Sequence, residues 1–423
     1  MSIKKIGIIG LGTVGEAVVE LLRKHSSLVN KRSAVKIAIK KVCDLNKAKR
    51  KIADRFSLSF TSDPDQIIND PDIDIVVELI GGLNPAYNLI SRSLKNGKSV
   101  VTANKALLAH CGSKIFSLAE EKNKFIGFEA SVCGAIPLIK SISQGLVGCD
   151  VKKIYGILNG TTNYILYKMH KEKLDFSSVL KEAQKRGLAE KNPRLDIEGI
   201  DALHKLCILS YLCYGVWPSL DKVYSEGISK ISLLDILYAE ELNYRIKLLS
   251  IARKKENYLD LRVHPVLVPV EHPLAQVSLA YNAVHLDTYP AGELLFYGEG
   301  AGGVPTSSSV LSDIVSIASG IGGTIRKKEN MATGNINDIK VRYYIRFMAQ
   351  DASGVLAKIA KILAFFNISI ASVTQKQIKK GRFVPIVMIT HKAKEEDVKK
   401  ALKDIDKSRL IKSPTQLIRI EDL

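Results

Sequence analysis

Residues 3–15 read IKKIGIIGLGTVG. A short apolar run with a β-branched bias runs into Gly10-Leu11-Gly12-Thr13-Val14-Gly15, and apolar residues at helical spacing follow over 14–23. The run predicts a buried strand, the spacing a helix. A lone G-x-G-x-x-G is weak. Placed directly after a strand and opening a helix, it gains a physical meaning. Its glycines permit a tight turn and close main-chain approach to a pyrophosphate, and the helix N-terminus offers free N–H donors to that anion. Outward from this point, 35–42, 73–80, 99–102 and 125–129 read as strands, and 85–95 and 105–122 as helices. Such alternation predicts an α/β domain of Rossmann type, a doubly wound parallel sheet with right-handed crossovers.

Beyond residue 151 the pattern changes. Residues 151–159 are strand-like, 164–170, 176–186, 199–213 and 236–243 helical, and 246–252, 259–268, 282–286 and 293–297 strand-like again. Grouped strands after helices predict an α+β domain. A helix over 307–318 is expected to return to the first domain. Residues 326–340 are polar and aperiodic, a linker. Strands at 341–348, 369–376, 383–390 and 415–420 with helices at 355–365 and 395–403 then spell a ferredoxin-like βαββαβ unit. The expected division is 1–134 (with the returning helix, 305–320), 135–304, the linker and 341–423.

The 423 residues carry 62 Lys and Arg against 43 Asp and Glu, a net charge of +19. A charge of that size raises nucleic acid or an anionic membrane as partner. Its distribution argues otherwise. Residues 1–60 hold 14 basic and 4 acidic residues, residues 340–423 hold 18 and 8, and the middle is near neutral. Neither basic end shows a helix-turn-helix or a basic face interleaved with aromatics. The expectation is no nucleic acid and no membrane. The start resembles a signal peptide only until Glu16 interrupts it, and 206–220 is too short and broken to span a bilayer. The six cysteines show no C-x-x-C spacing and read as buried free thiols. A cytoplasmic protein is expected.

Asp44, at the end of the second strand, suits a ribose hydroxyl and NAD, while Lys47, Lys49 and Arg50 suit the 2′-phosphate of NADP. Lys105, in VVTANKALLA, stands at a strand-to-helix switch, where ligands of doubly wound sheets collect. Asp201 and Lys205 are four apart on one helix face, with Glu190 and Asp196 in the preceding loop. Carboxylates around a lysine suit an ammonium-bearing substrate and a proton donor. His204 points to a neighbouring face, as a packed histidine would. In Asn159-Gly160-Thr161-Thr162-Asn163, small polar groups at a helix start can hold a substrate carboxylate. The glycine-rich 298–306 stretch again precedes a helix.

These segments together resemble homoserine dehydrogenase: GLGTVGEAVVELL, VVELIGG, VVTANKALLA, FEASVCGAIP, ILNGTTNYIL, DIEGIDALHKL, RVHPVL, HPLA and GAGGVPTSSS occur in family order over about residues 5–320. DASGVLAKIAKILAFFNISIASVTQ resembles an ACT regulatory domain. With no aspartate-kinase portion preceding, the likeness is to the monofunctional, ACT-bearing form. The resemblance implies reversible, NAD(P)H-dependent reduction of L-aspartate 4-semialdehyde to L-homoserine, in threonine, methionine and isoleucine biosynthesis. It implies a substrate and dimerisation role for the α+β domain. It implies Lys205, Lys105 and Asp201 as catalytic, and Glu190, Asp196, Thr162 and Gly160 as substrate-binding. Gly10, Gly12, Thr13, Val14, Gly15, Thr102, Lys105 and Gly302 would bind NADP or NAD. A monovalent cation, Na+ or K+, would be held by Glu129 and main chain around Val132, Gly134 and Ile136. Cys43 stands where many relatives have an Arg toward the 2′-phosphate, Asn192 replaces a frequent Asp, Ala135 a frequent Gly and Ser353 a common Pro.

The ACT likeness implies an amino-acid effector, threonine first, with contacts at Asp351, Gly354 and Ile368, and a homodimer or tetramer. Two other readings compete. One is a different amino-acid dehydrogenase of split dinucleotide fold, such as an aspartate dehydrogenase, against which NGTTN and the 190–205 block argue. The other is a cofactor-sensing regulator bound to nucleic acid.

Overall fold

The computed structural model describes residues 3–33, 35–321, 328–376 and 383–423. Contacts divide the chain into two units. One comprises Met1–Gly160, Asp201–Leu220 and Tyr281–Met331, the other Thr161–Ile200, Asp221–Ala280 and Ala332–Leu423. The expected division was consecutive from the substrate region onward; here residues 135–304 are shared between both units.

In the first unit a six-stranded parallel sheet runs in the order Ser59–Thr61, Lys36–Cys43, Ile3–Ile9, Ile75–Glu78, Ser99–Thr102, Ile126–Gly127. The order reverses on either side of Ile3–Ile9, which opens the crevice where such folds take ligands. The two inner strands are buried on both faces, as a continuous apolar run requires. Helix Thr13–Lys24 packs its Val18, Val19 and Leu22 into a core that also takes Val310, Leu311, Ile314 and Ile317 of helix Gly303–Ala318. The returning helix is thus where the sequence puts it. The expected strand over 125–129 is shorter: after Gly127 the chain turns into a 3-10 helix, Glu129–Ser131, because the Glu129 amide bonds the Asp313 carboxylate at 2.8 Å rather than a strand neighbour. Strands Asp150–Ile157, Tyr281–Tyr289 and Gly292–Glu299 form an antiparallel sheet in the same unit.

The second unit contains the βαββαβ segment, with strand order Gln416–Ile420, Lys340–Gln350, Phe383–Thr390, Ile370–Gln375, all antiparallel. It is not separate from its neighbours. Gln416–Ile420 also pairs, in parallel, with Tyr258–Pro269, which pairs with Tyr244–Lys254. The linker is not structureless either. Residues 326 and 327 lie outside the described residues, but Ala332–Thr333 adds to the Tyr258 end of Tyr258–Pro269, and a helical turn Ile336–Asp338 follows. Among the described residues no helix is long and apolar enough to cross a membrane.

Candidate active site

The glycine loop is built as its spacing requires. Gly10 has φ +102, so a side chain there would be strained. A Cβ on Gly15 would lie 1.9 Å from the Gly10 carbonyl oxygen, so helix and strand meet at van der Waals distance only with glycine. A Cβ on Gly12 would meet nothing within 4 Å, so the open space is kept on the side where a pyrophosphate approaches. The second glycine-rich loop joins the first: a Cβ on Gly303 would lie 2.9 Å from Thr13 Cγ2, and Gly302, at φ +115, caps helix Gly303–Ala318. Two helix N-termini of one unit therefore flank Thr13. Asp44 is tied to this loop, accepting from the Leu11 amide at 2.8 Å and the Asn46 amide at 2.8 Å. Val14 lies in the first turn of the helix, partly buried against the core.

Glu78 at the end of Ile75–Glu78 went unnoticed in the sequence, where it looks like an interruption in an apolar run. It is fully buried, and accepts from Thr102 Oγ1 at 2.7 Å and from the Ile80 amide at 2.8 Å. Burial raises its carboxyl above the ordinary value. Thr102 Oγ1 in turn accepts from the Asn104 amide, and Asn104 caps helix Lys105–Glu121 through the Leu107 amide at 3.0 Å. This chain of bonds fixes where Lys105 leaves the sheet.

Lys105 Nζ reaches Asp201 Oδ1 at 2.7 Å. Lys205 Nζ meets Asp201 Oδ2 at 2.8 Å and donates to the Leu158 carbonyl at 2.6 Å. Asn159 Nδ2 donates to the same Asp201 Oδ2 at 2.9 Å. Asp201 and Lys205 are buried, while Lys105 is half exposed. Burial alone would raise the Asp201 carboxyl, but the ammonium groups of Lys205 and Lys105 outweigh it and hold it well below the carboxylate range. Asp201 is therefore an anion shared by two cations, one deep and one accessible. The i, i+4 pair of the sequence is more than a helix salt bridge, because Lys105 and Asn159 converge on it from elsewhere. Asn282, also unforeseen, donates to the Leu158 carbonyl at 3.1 Å. His204 is packed edge-on against His110, with ring centroids 5.3 Å apart. Burial and the His110 ring lower it to about 4, so it is neutral at pH 7.

Glu129 is buried, and its two oxygens accept from the Ile139 and Lys140 amides at 2.8 and 2.9 Å. Burial and the Asp313 charge raise it to about 7. The Gly134 carbonyl accepts from Ser309 Oγ at 2.7 Å and the Ile136 carbonyl from the Leu138 amide at 2.7 Å. Val132 is buried beside them. This stretch is an oxygen-rich turn in which each of these acceptors already has one protein donor and keeps lone-pair capacity for a hard cation. The cysteines are free thiols; Cys43, Cys133, Cys207 and Cys213 are buried, Cys111 and Cys149 half-buried.

Gly160 opens helix Gly160–Glu172 at the edge of the first unit. Thr162, Glu190 and Asp196 belong to the second. Thr162 is buried in that helix, Glu190 is exposed, and Asp196 is half-buried in the short helix Arg194–Ile197. In the βαββαβ segment Gly354 takes φ +83 and caps helix Val355–Phe365, with Asp351 exposed just before it. The Ile368 side chain packs into the core with Ile359 and Leu363, so it is not available to a ligand, and its amide donates to the Leu363 carbonyl at 3.0 Å.

Comparison with known proteins gives these positions a family. Residues 10–129 match the homoserine dehydrogenase NAD-binding domain, 137–315 homoserine dehydrogenase, and 343–409 the ACT domain. A homoserine dehydrogenase of Neisseria gonorrhoeae is 41% identical over 430 residues, covering 99% of this chain and 98% of its own length. A crystal structure of a homoserine dehydrogenase from Thiobacillus denitrificans superposes with a TM-score of 0.93 at 40% identity, covering 100% of this chain and 99% of its own. A hyperthermophilic archaeal homoserine dehydrogenase in complex with NADPH has a TM-score of 0.64 at 26% identity, over 75% of this chain and 98% of its own. Neither an aspartate dehydrogenase nor a nucleic-acid-binding regulator is favoured. The chain belongs to the homoserine dehydrogenase family of NAD(P)-dependent oxidoreductases and carries an ACT domain.

Proposed function

We propose that the chain reduces L-aspartate 4-semialdehyde to L-homoserine, reversibly, with Lys205 as the proton donor. The observation that carries this is the buried Lys205 ammonium held between the Leu158 carbonyl and Asp201. NADH or NADPH, bound over Gly10, Gly12, Thr13, Val14 and Gly15 with Thr102 and Gly302 alongside, supplies the hydride. As the aldehyde carbon takes it, negative charge develops on the carbonyl oxygen, and a fixed cationic donor stabilises that charge. Lys205 gives the oxygen one proton and recovers it in the reverse direction. Asp201, an anion throughout, orients both lysines. Lys105 is the accessible cation at the substrate. Gly160 takes the substrate carboxylate, and the family likeness implies Glu190, Asp196 and Thr162 as further substrate-binding residues.

A monovalent cation, Na+ or K+, on Glu129 and the carbonyls of Val132, Gly134 and Ile136 would stiffen this turn. Threonine beside Asp351, Gly354 and Ile368 would make the ACT domain a feedback site in a homodimeric or tetrameric cytoplasmic enzyme. Titration calorimetry with threonine, isoleucine and methionine tests the effector, and no heat from any removes it. For the reaction itself, Lys205→Ala and Asp201→Ala should lose turnover of homoserine while binding of NADPH or NADH, followed by its fluorescence, persists. Near-normal turnover in either variant overturns the assignment.

A further inference from the structure

The second unit contains a cavity of about 190 Å³ that none of these roles uses. Helix Gly160–Glu172 contributes His170 and Lys171 to its wall, strand Tyr244–Lys254 contributes Arg245 and Lys247, and Gln276 closes one side. Lys247 is only 4% exposed and donates to Asn163 Oδ1 at 3.0 Å and to the Val277 carbonyl. An ammonium has three donors, so these two bonds leave it short of a full shell. Both acceptors are uncharged, whereas a buried cation is ordinarily paired with an anion. The His170 Nδ1 atom is buried with no hydrogen-bond partner among the described residues, and its Nε2 lies 3.7 Å from Glu240. Glu240 is itself ion-paired with Lys173. Basic groups thus outnumber acidic ones around a space the size of a small metabolite.

We propose that this cavity binds a small oxyanion, a carboxylate or a phosphate, held by Lys247 and Arg245 with His170 donating from Nδ1. The electrostatics support the geometry. Burial, and then Arg245, lower Lys247 to about 7, and the same two causes lower His170. A bound anion favours the charged form of both groups, so binding takes up protons. The groups that face the pair are Arg245 on the strand of Lys247, Lys171 in the last turn of the helix, Lys173 just after it, and Glu240 on Leu233–Glu241. Affinity should therefore weaken as pH rises through 7. The anion acts one bond from Asn163, through Lys247, and Asn163 adjoins Thr162.

The test is titration calorimetry of the full chain in chloride-free buffer with acetate, succinate and inorganic phosphate. The expected result is saturable binding of one stoichiometric equivalent of either oxyanion class. The carboxylate and phosphate arms decide which class is preferred. Lys247→Met and, at a less buried position, Arg245→Gln should each weaken it by about tenfold or more, the loss expected for a charge-assisted contact. No saturable binding in any arm, or binding that survives both substitutions in chains that melt as the parent does, overturns the proposal. Homoserine turnover in the parent chain is a separate measurement and can fail independently.

Discussion

Each unit buries a cluster of charges, and the two clusters are built from different cations. In the first, Lys105 and Lys205 share Asp201. In the second, Arg262 lies between Asp260 and Glu421, and Arg419 between Glu395 and Glu226 at 3.0 and 2.8 Å. Among the described residues Arg262 and Arg419 are the largest fully buried side chains. Arginine keeps its proton under all ordinary conditions, and its planar fork engages carboxylates in two directions. Lysine is a compact donor whose proton can be given up. Carboxylates surround each cation in the second cluster, whereas cations outnumber the carboxylate in the first. The difference teaches that burial of charge alone does not mark a reaction centre. A transferable proton and an unbalanced charge are what set the proposed reaction centre apart from the arginine cluster.

The comparison breaks most severely if Lys205 is replaced by a cation that cannot act as an acid. Lys205→Arg should reduce kcat by about 10²–10⁴, the usual contribution of a positioned acid. The melting temperature should move little. Turnover within a few fold of the parent would mean that charge suffices. The reverse substitution in the second cluster addresses stability. Arg262→Met strands Asp260 and leaves Glu421 with Arg253 alone, and unfolding in urea should show a loss of about 3–5 kcal/mol. The rate per folded molecule should stay near that of the parent; a rate loss with unchanged stability would assign this cluster to chemistry. A smaller effect comes from restoring balance there. Adding Asp260→Asn to Arg262→Met removes the stranded anion and should recover part of the lost stability, by about 1 kcal/mol or more. Strict additivity of the two losses would show that they do not act as a pair.

The smallest effect concerns the neutral histidine beside the lysine cluster. His204 titrates near 4 when folded and near 6.5 when unfolded. The unfolded chain binds the extra proton, so this contribution is fully present above pH 6.5 and is lost as pH falls toward 4. Stability should drop by at most about 3 kcal/mol across that window. His204→Gln should flatten the part of the pH profile that belongs to it. An unchanged slope would place the titration elsewhere. His264 in the second cluster, fully buried and held well below its ordinary value by burial and by Arg419 and Arg262, marks the same logic beside arginine.

Much of this organisation was legible in the residues, and the rest was hidden for physical reasons. Local periodicity gave the dinucleotide sheet, the returning helix and all six elements of the βαββαβ segment to within a few residues. It missed helix Ser26–Arg32, which has no buried face, and Ser59–Thr61, which is too short to show a period. The spacing of Asp201 and Lys205 gave half of the site. Lys105 was found by its place at a strand end. Glu78, Leu158 and Asn282 were not, because a buried carboxylate, a carbonyl and a lone amide carry no pattern, and their partners lie 24, 47 and 124 positions away. The division into units failed to follow chain order for the same reason. The pairing of Tyr258–Pro269 with Gln416–Ile420 joins segments that no window spans.

That pairing also sets an order of events during synthesis. Tyr258–Pro269 emerges roughly 150 residues ahead of Gln416–Ile420, an interval of roughly 8–30 s at ordinary elongation rates. Throughout it, the Val266–Leu267 part of the nascent strand presents an open edge, while Tyr224–Ser225 can already cover Arg262–Val263, and Arg262 has Asp260 but not yet Glu421. An open edge is a template for pairing with another chain. With only part of its counter-charge in place, the guanidinium makes closure of that edge on an apolar stranger costly until its second carboxylate arrives.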